Sequence, residues 1–211
     1  MRARMTVKGQ ELPMHEPRIK HGLGAGYVVS PTGADHMHNM HDTAFINDGP
    51  PLERLREFDP DLVPTPAHGL PDEKMRIFYL QSTFRHFFDS VGMCHFLPYS
   101  PVQLADVIAG ITGWETTVED VLTWGERGAT LARVFNTREG FTASDDALPK
   151  RFFKEFRNDA SSTGKPLDVD ELRNAVLGYY HTMGWDTDGI PTAERLEKLG
   201  VGWAREAVTA G

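Results

Sequence analysis

The sequence predicts a mainly α protein, with an irregular arm over residues 1–71 followed by a helical domain over residues 72–211. Three observations carry this. Beyond Pro71, apolar residues recur at three- and four-residue steps, and no useful two-residue alternation follows residue 30. Helix-opening signals precede those periodic segments, the clearest being Ser100-Pro101-Val102-Gln103, a capping box with Pro at the first helical position. The first 71 residues instead are rich in Gly, Pro and His, and Asp48-Gly49-Pro50-Pro51 and Val63-Pro64-Thr65-Pro66 interrupt regular structure there. So long an irregular stretch suggests an arm along another structure, or loops lining a site.

Taken in chain order, Gly22-Leu23-Gly24-Ala25-Gly26 has the spacing G-x-G-x-G, not the G-x-G-x-x-G of dinucleotide folds, and no strand precedes it. Its glycines are better read as allowing a tight turn or a backbone flush against another surface. In segment 72–91, Ile77, Leu80, Phe84, Phe87, Phe88 and Val91 mark one buried helical face. A helix from Pro101 to about Ile111 follows. Thr117 opens another, with Val118, Val121, Leu122, Ala132 and Phe135 on one face. Gly125, Gly128 and Ala129 leave part of its surface bare, and helix–helix packing is favoured there over a flat cofactor. Residues 168–183 carry the cleanest period, Leu172, Ala175, Val176, Tyr179, Tyr180 and Met183, with Gly184 as C-cap. A last short helix begins at Pro191-Thr192 and stops near Gly200.

A chain of 211 residues can bury roughly 70% of its unfolded surface, so neither metal nor disulfide is needed to fold it. The net charge of −8 and pI near 5.6 argue against nucleic acid as a partner. The sequence has no apolar run of about 18 residues and no apolar signal core at its start, which predicts a cytoplasmic protein.

Two constellations could carry chemistry. Asp35-His36-Met37-His38-Asn39-Met40-His41-Asp42 places His38 and His41 on one face if helical, and His36 and His38 if extended. The imidazoles suit a zinc or nickel site, proton transfer, or simply a solvated loop. Asp89-Ser90-Val91-Gly92-Met93-Cys94 puts a carboxylate and the chain's one cysteine on one helix-terminal loop. A lone cysteine is ordinarily a small buried hydrophobe. Here Gly92 allows a left-handed turn that would aim the Met93 and Cys94 amides at a ligand, and a Cys94 thiolate would be a soft ligand for iron.

Read in order, these segments bear a family likeness. Val7-Lys8-Gly9-Gln10-Glu11-Leu12-Pro13-Met14-His15-Glu16-Pro17-Arg18 resembles the KG-x-E-L-P-x-H-D-P-R segment of the aldehyde ferredoxin oxidoreductases. Gly22 to Tyr27 and Ser30 to His36 resemble that family's G-L-x-x-x-Y-x-x-S-x-R-G-A-D-H, with Thr32 where a basic residue is usual. Asp89 to Cys94 is similar to its D-x-x-G-L-C motif, with Met93 for Leu, and Arg133 to Phe152 resembles R-x-F-N-x-R-E-G-F…D-D-x-L-P-x-R-F.

The resemblance implies the C-terminal helical domain of an enzyme that oxidises a small aldehyde to a carboxylic acid and passes electrons through a [4Fe-4S] cluster to ferredoxin. Its metal is tungsten or molybdenum held by two pterins. By the same likeness, Asp89 would bond a pterin with help from the Gly92 and Met93 backbone, Cys94 would ligate the cluster, and His36 would be the active-site histidine. The family's C-x-x-C-x-x-x-C run and its first pterin-cradling domain have no counterpart in these residues. One cysteine cannot hold a cluster that needs four thiolates. The expectation is therefore a chain that binds neither cofactor alone and depends on N-terminal cluster- and pterin-binding domains from elsewhere. Two alternatives stand beside it, a cofactor-free helical binding or scaffold module derived from the family, and a small metal-binding protein using His36, His38 and His41.

Overall fold

Local capping fixes most of the architecture. A computed structural model describes residues 5–156 and 164–209, and among these are eight α-helices and one two-stranded ribbon. The ribbon pairs β1 (Thr6–Val7) antiparallel with β2 (Gln10–Glu11). The helices are α1 (His21–Val29), α2 (Pro50–Leu55), α3 (Asp72–Ser90), α4 (Pro101–Thr112), α5 (Val118–Arg138), α6 (Val169–Met183), α7 (Ala193–Lys198) and α8 (Arg205–Thr209). At the start of α4, Ser100 Oγ accepts from the Gln103 amide at 3.3 Å and the Gln103 side chain accepts from the Ser100 amide at 2.9 Å. Thr117 and Asp120 form the same reciprocal pair at α5. Asp168 and Thr192 cap α6 and α7, and Gly113 and Gly184 end α4 and α6 with φ of +75° and +70°.

The long helices α3 and α5 pack along each other through the bare stripe of α5. A Cβ added at Gly125 would lie 2.1 Å from the Thr83 carbonyl oxygen, and one at Gly128 would lie 2.6 Å from Ser90 Oγ. This is the helix–helix packing that the small residues predict. It also corrects the expected face of α5. Val121 is buried, but Phe135 is 53% exposed, because α5 turns Gly125 and Gly128 rather than Phe135 toward α3. The Phe135 ring instead lies beneath the Arg138 guanidinium, 4.9 Å from its centroid. Val91, expected on the buried face of α3, lies just past the helix end and is 39% exposed.

The stretch 1–71 holds more regular structure than its composition suggests. Every residue of α1 is buried, including Leu23, Ala25, Tyr27 and Val28. A helix buried on all sides has no polar face, so it shows no amphipathic period. Gly24 faces Leu167 and Pro17, and Gly26 faces Asn39, each too close to admit a Cβ without displacement. The glycines thus let surrounding chain lie flush on α1, as the close-approach reading expects, but from within a helix. Pro50 and Pro51, read as breakers, occupy the first turn of α2, where a missing N–H costs nothing. Val7, Leu23, Tyr27, Leu52 and Leu55 join Ile77, Phe78, Tyr179, Tyr180 and Met183 in one buried cluster.

Gly125→Ala should therefore destabilise the protein by about 1–3 kcal/mol through overpacking against α3. Gly110→Ala, on the exposed side of α4 with no atom within 4 Å of the added Cβ, should stabilise it by about 0.5–1 kcal/mol. Chemical denaturation of the two variants tests both signs.

Candidate functional site

The end of α3 builds one side of the site. His86 and Asp89 are three residues apart and share a face of the helix. The helix then closes in a Schellman turn. Gly92 takes φ of +70°, its amide donates to the Asp89 carbonyl at 3.1 Å, and the Met93 amide donates to the Phe88 carbonyl at 2.8 Å. The Gly92 and Met93 amides, expected to face a ligand, are thus engaged in terminating the helix. The turn throws the following chain outward and leaves Cys94 exposed.

The loop between α1 and α2 brings the imidazoles. His38 is clasped between two carboxylates, with Nδ1 on Asp35 and Nε2 on Asp89. Asp35 is itself fixed by the Met37 amide at 2.7 Å. The other oxygen of Asp89 accepts from His95 Nε2 at 2.7 Å. His86 stacks on His38 with ring centroids 4.8 Å apart. Burial disfavours charge on both members of the Asp35–His38 pair, yet their mutual attraction prevails. The carboxyl of Asp35 is held down to about 2, and the His38 pKa is raised with help from Asp89. His86, by contrast, is driven down to about 3 by burial first and by the neighbouring His38 second.

His36 belongs to a different group. Its ring lies 4.9 Å from that of His15 and 6.1 Å from that of His41. His36 and His41 line a cavity of about 240 Å³ together with Arg54, Arg85 and His95. Arg85 donates to the His95 carbonyl, so this cavity is bounded by the chain that follows Cys94. The three histidines expected to act together therefore fall in two places. His38 joins α3, while His36 and His41 line the cavity and pack against the ring of His15. The imidazoles that hold Asp89 are His38 and His95, and His36 approaches the loop only through the cavity wall. Lys20 Nζ lies 3.0 Å from His41 Nδ1, an arrangement that requires a neutral, accepting imidazole. Burial, then the Lys20 charge, pushes His41 down to about 4.

Sequence reasoning missed His86 and His95, and gave Asp35 and His15 no role of their own. The signal for His86 was present in its spacing from Asp89, and that for His95 in its adjacency to Cys94. Pairing His38 with α3 needs the tertiary fold.

Residues 1–201 match the family model described as aldehyde ferredoxin oxidoreductase, domains 2 & 3. The chain belongs to the aldehyde ferredoxin oxidoreductase family. Among similar proteins, the tungsten-containing aldehyde ferredoxin oxidoreductase of Pyrococcus furiosus is 32% identical over 200 residues, covering 93% of this chain and 31% of that protein. Its counterpart from Thermococcus kodakarensis is 31% identical over the same shares. An aliphatic sulfonate oxidoreductase, WOR-like subunit, of Pyrococcus furiosus is 28% identical over 68% of this chain and 22% of its own length. The active-site complex BamBC of benzoyl coenzyme A reductase, solved with 1,5-dienoyl-CoA, superposes with a TM-score of 0.54 at 27% identity, covering 64% of this chain and 20% of that one. The chain thus spans about a third of the length of its curated oxidoreductase relatives. No helix among the described residues is long and apolar enough to cross a membrane.

The geometry around His41 has a measurable sign. Its folded pKa, about 4, lies below the unfolded value, so its contribution to stability is present above pH 6.5 and is lost as pH falls toward 4. His41→Gln should flatten this acid limb by about 2 kcal/mol at pH 5 relative to the parent. Lys20→Met should raise the His41 pKa by about one unit, read from imidazole proton resonances.

Proposed function

We propose that this chain forms the helical wall of a tungstopterin aldehyde oxidoreductase centre, competent once joined to the remainder of the enzyme. The observation that carries the proposal is the Asp89–Cys94 loop. It presents an exposed thiol and a half-exposed carboxylate beside the His36 cavity, on a chain spanning 31% of its tungsten-containing relative.

The donor set fits a one-sided contribution. The sequence contains one cysteine, and a cubane cluster takes four thiolates, so Cys94 would supply one ligand and the rest of the enzyme three. Asp89, an acceptor when ionised, suits the amino edge of a pterin. When bound, the tungstopterin and cluster supply the two-electron oxidation of an aldehyde to a carboxylic acid and the relay of electrons to ferredoxin. The short loop gives that relay few intervening bonds. His36, half-buried in the cavity wall, is placed to hold or move a proton at a substrate oxygen. The size of the cavity, about 240 Å³, suits a small aldehyde.

One observation favours the alternative of a cofactor-free binding module, because both oxygens of Asp89 already have imidazole partners. Co-expression with the family's cluster- and pterin-binding portion separates the two readings. The proposal expects co-purification with tungsten and iron. Cys94→Ser should lower iron per complex severalfold, and His36→Gln should cut kcat by about 10²–10⁴ with metal content unchanged. No association, or full metal loading indifferent to Cys94→Ser and Asp89→Asn, would sink it.

A further inference from the structure

We infer that His38, His86 and Asp89 form a binding site for a divalent transition-metal ion of the zinc type in the chain apart from its pterin-bearing partner. One ligand atom from each of these three side chains lies within 4.8 Å of the other two. Two imidazole nitrogens and one carboxylate oxygen are a donor set that zinc takes readily, with a further position left to water.

Three further features make this more than a chance grouping. His86 and Asp89 project from one face of α3, so a rigid element sets two of the three donors. The third, His38, is oriented from behind. Asp35 holds its Nδ1 and turns Nε2 toward Asp89, the carboxylate–histidine arrangement that fixes the tautomer of a metal-binding imidazole. Asp35 is in turn anchored by the Met37 amide. His95 steadies the remaining oxygen of Asp89 at 2.7 Å. The three donors also line a common surface depression with Pro31, Thr32 and Gly128, so an ion and its water can reach them.

Zinc bonds of about 2.0–2.2 Å place donor atoms roughly 3.3–3.5 Å apart in a tetrahedral shell. Seating an ion among these donors asks Asp89, 45% exposed at the helix end, to exchange its direct contact with His38 Nε2 for the ion. His86, stacked beneath His38, stays in place. His36 and His41, which the sequence grouped with His38, take no part, since they turn to His15 and the neighbouring cavity.

The site engages Asp89, which the proposed enzyme centre also uses. It is therefore a property of the chain apart from its pterin-bearing partner, and its test is independent of redox activity. The purified 211-residue chain, stripped with chelator, is titrated with Zn²⁺ by calorimetry and with Co²⁺ by visible absorption. One ion per chain is expected, with cobalt bands of a low-coordinate nitrogen–oxygen site. His86→Gln and Asp89→Asn should each weaken zinc at least tenfold, and Asp35→Asn, a positioning change, about tenfold with the cobalt spectrum altered. Asp89→Asn is a surface change, so it reports on the site even if His86→Gln fails to fold. Absence of stoichiometric binding would overturn the inference. So would binding that survives these variants and disappears in His15→Gln or His41→Gln. Failure here leaves the proposed enzyme reading standing, and failure of metal loading in the co-expressed complex leaves this one.

Discussion

A single buried ion pair, Asp42 with Lys74, holds the candidate site in place. Both side chains are wholly buried, and Lys74 Nζ lies 3.0 Å from Asp42 Oδ1. Asp42 also accepts from the Gly22 and Leu23 amides at 2.8 and 2.9 Å. It therefore caps α1 from twenty residues downstream, which α1 requires because Lys20 offers no side-chain cap. Lys74 donates in addition to the Gly69 and His68 carbonyls. Burial lowers its pKa, and the Asp42 charge opposes that shift. Removing either partner strands the other, at a cost of about 3–5 kcal/mol. The loop that carries His36 and His38 runs directly into Asp42. Its exit is fixed to α1 and α3 together, and its imidazoles reach α3 for that reason.

A second clamp fixes the entrance to the same region. Lys8 pairs with Asp146 and donates to the Val28 carbonyl, with both ionic side chains almost fully buried. Arg133 meets Asp146 at 2.8 Å and donates from Nε to the Gly189 carbonyl at 2.7 Å. The β-ribbon, α1, α5 and the segment after α5 are thus joined through one carboxylate. Gly33 shows how tight the fit is, since a Cβ there would meet the Val7 carbonyl oxygen at 2.1 Å. With both ends anchored in ion pairs shielded from water, the intervening loop can hold half-buried histidines without a helix or strand of its own.

This division explains what the sequence could and could not disclose. Helices opened by capping boxes were legible because their signals are local: Ser100 with Gln103, Thr117 with Asp120, Asp168 before α6. The closing turn after Asp89 was legible in Gly92, whose left-handed conformation the motif requires. The helix α1 was not, because a helix surrounded by protein shows no polar face to establish its period. Nor was the role of Asp42, Lys74, Lys8 and Asp146, since charged residues read as solvated until the fold removes water from them. The Asp89–Cys94 motif was found by likeness, and its contacts with His38 and His95 by the fold. Phe135 marks the converse error, where a large apolar residue was assigned a buried face that glycines occupy.

The energetics of Asp89 decide how its two proposed uses coexist. Its contacts with His38 and His95 are made at a side chain 45% exposed, where a hydrogen-bonded ion pair contributes only about 0–1 kcal/mol. The Asp35–His38 contact is better shielded, with both side chains less than a fifth exposed, and it is strengthened by the Met37 amide. Exchange is therefore cheap at Asp89 and costly at Asp35. A ligand that approaches the end of α3 can take Asp89 from its imidazoles while His38 remains fixed behind it. A pterin edge and a divalent cation make opposite demands on what replaces those contacts, since one brings donors to the carboxylate and the other brings charge. The cation also recruits the His38 and His86 nitrogens, which a pterin at Asp89 alone leaves free. Occupancy of the two histidines, more than of the aspartate, distinguishes the two states of this chain.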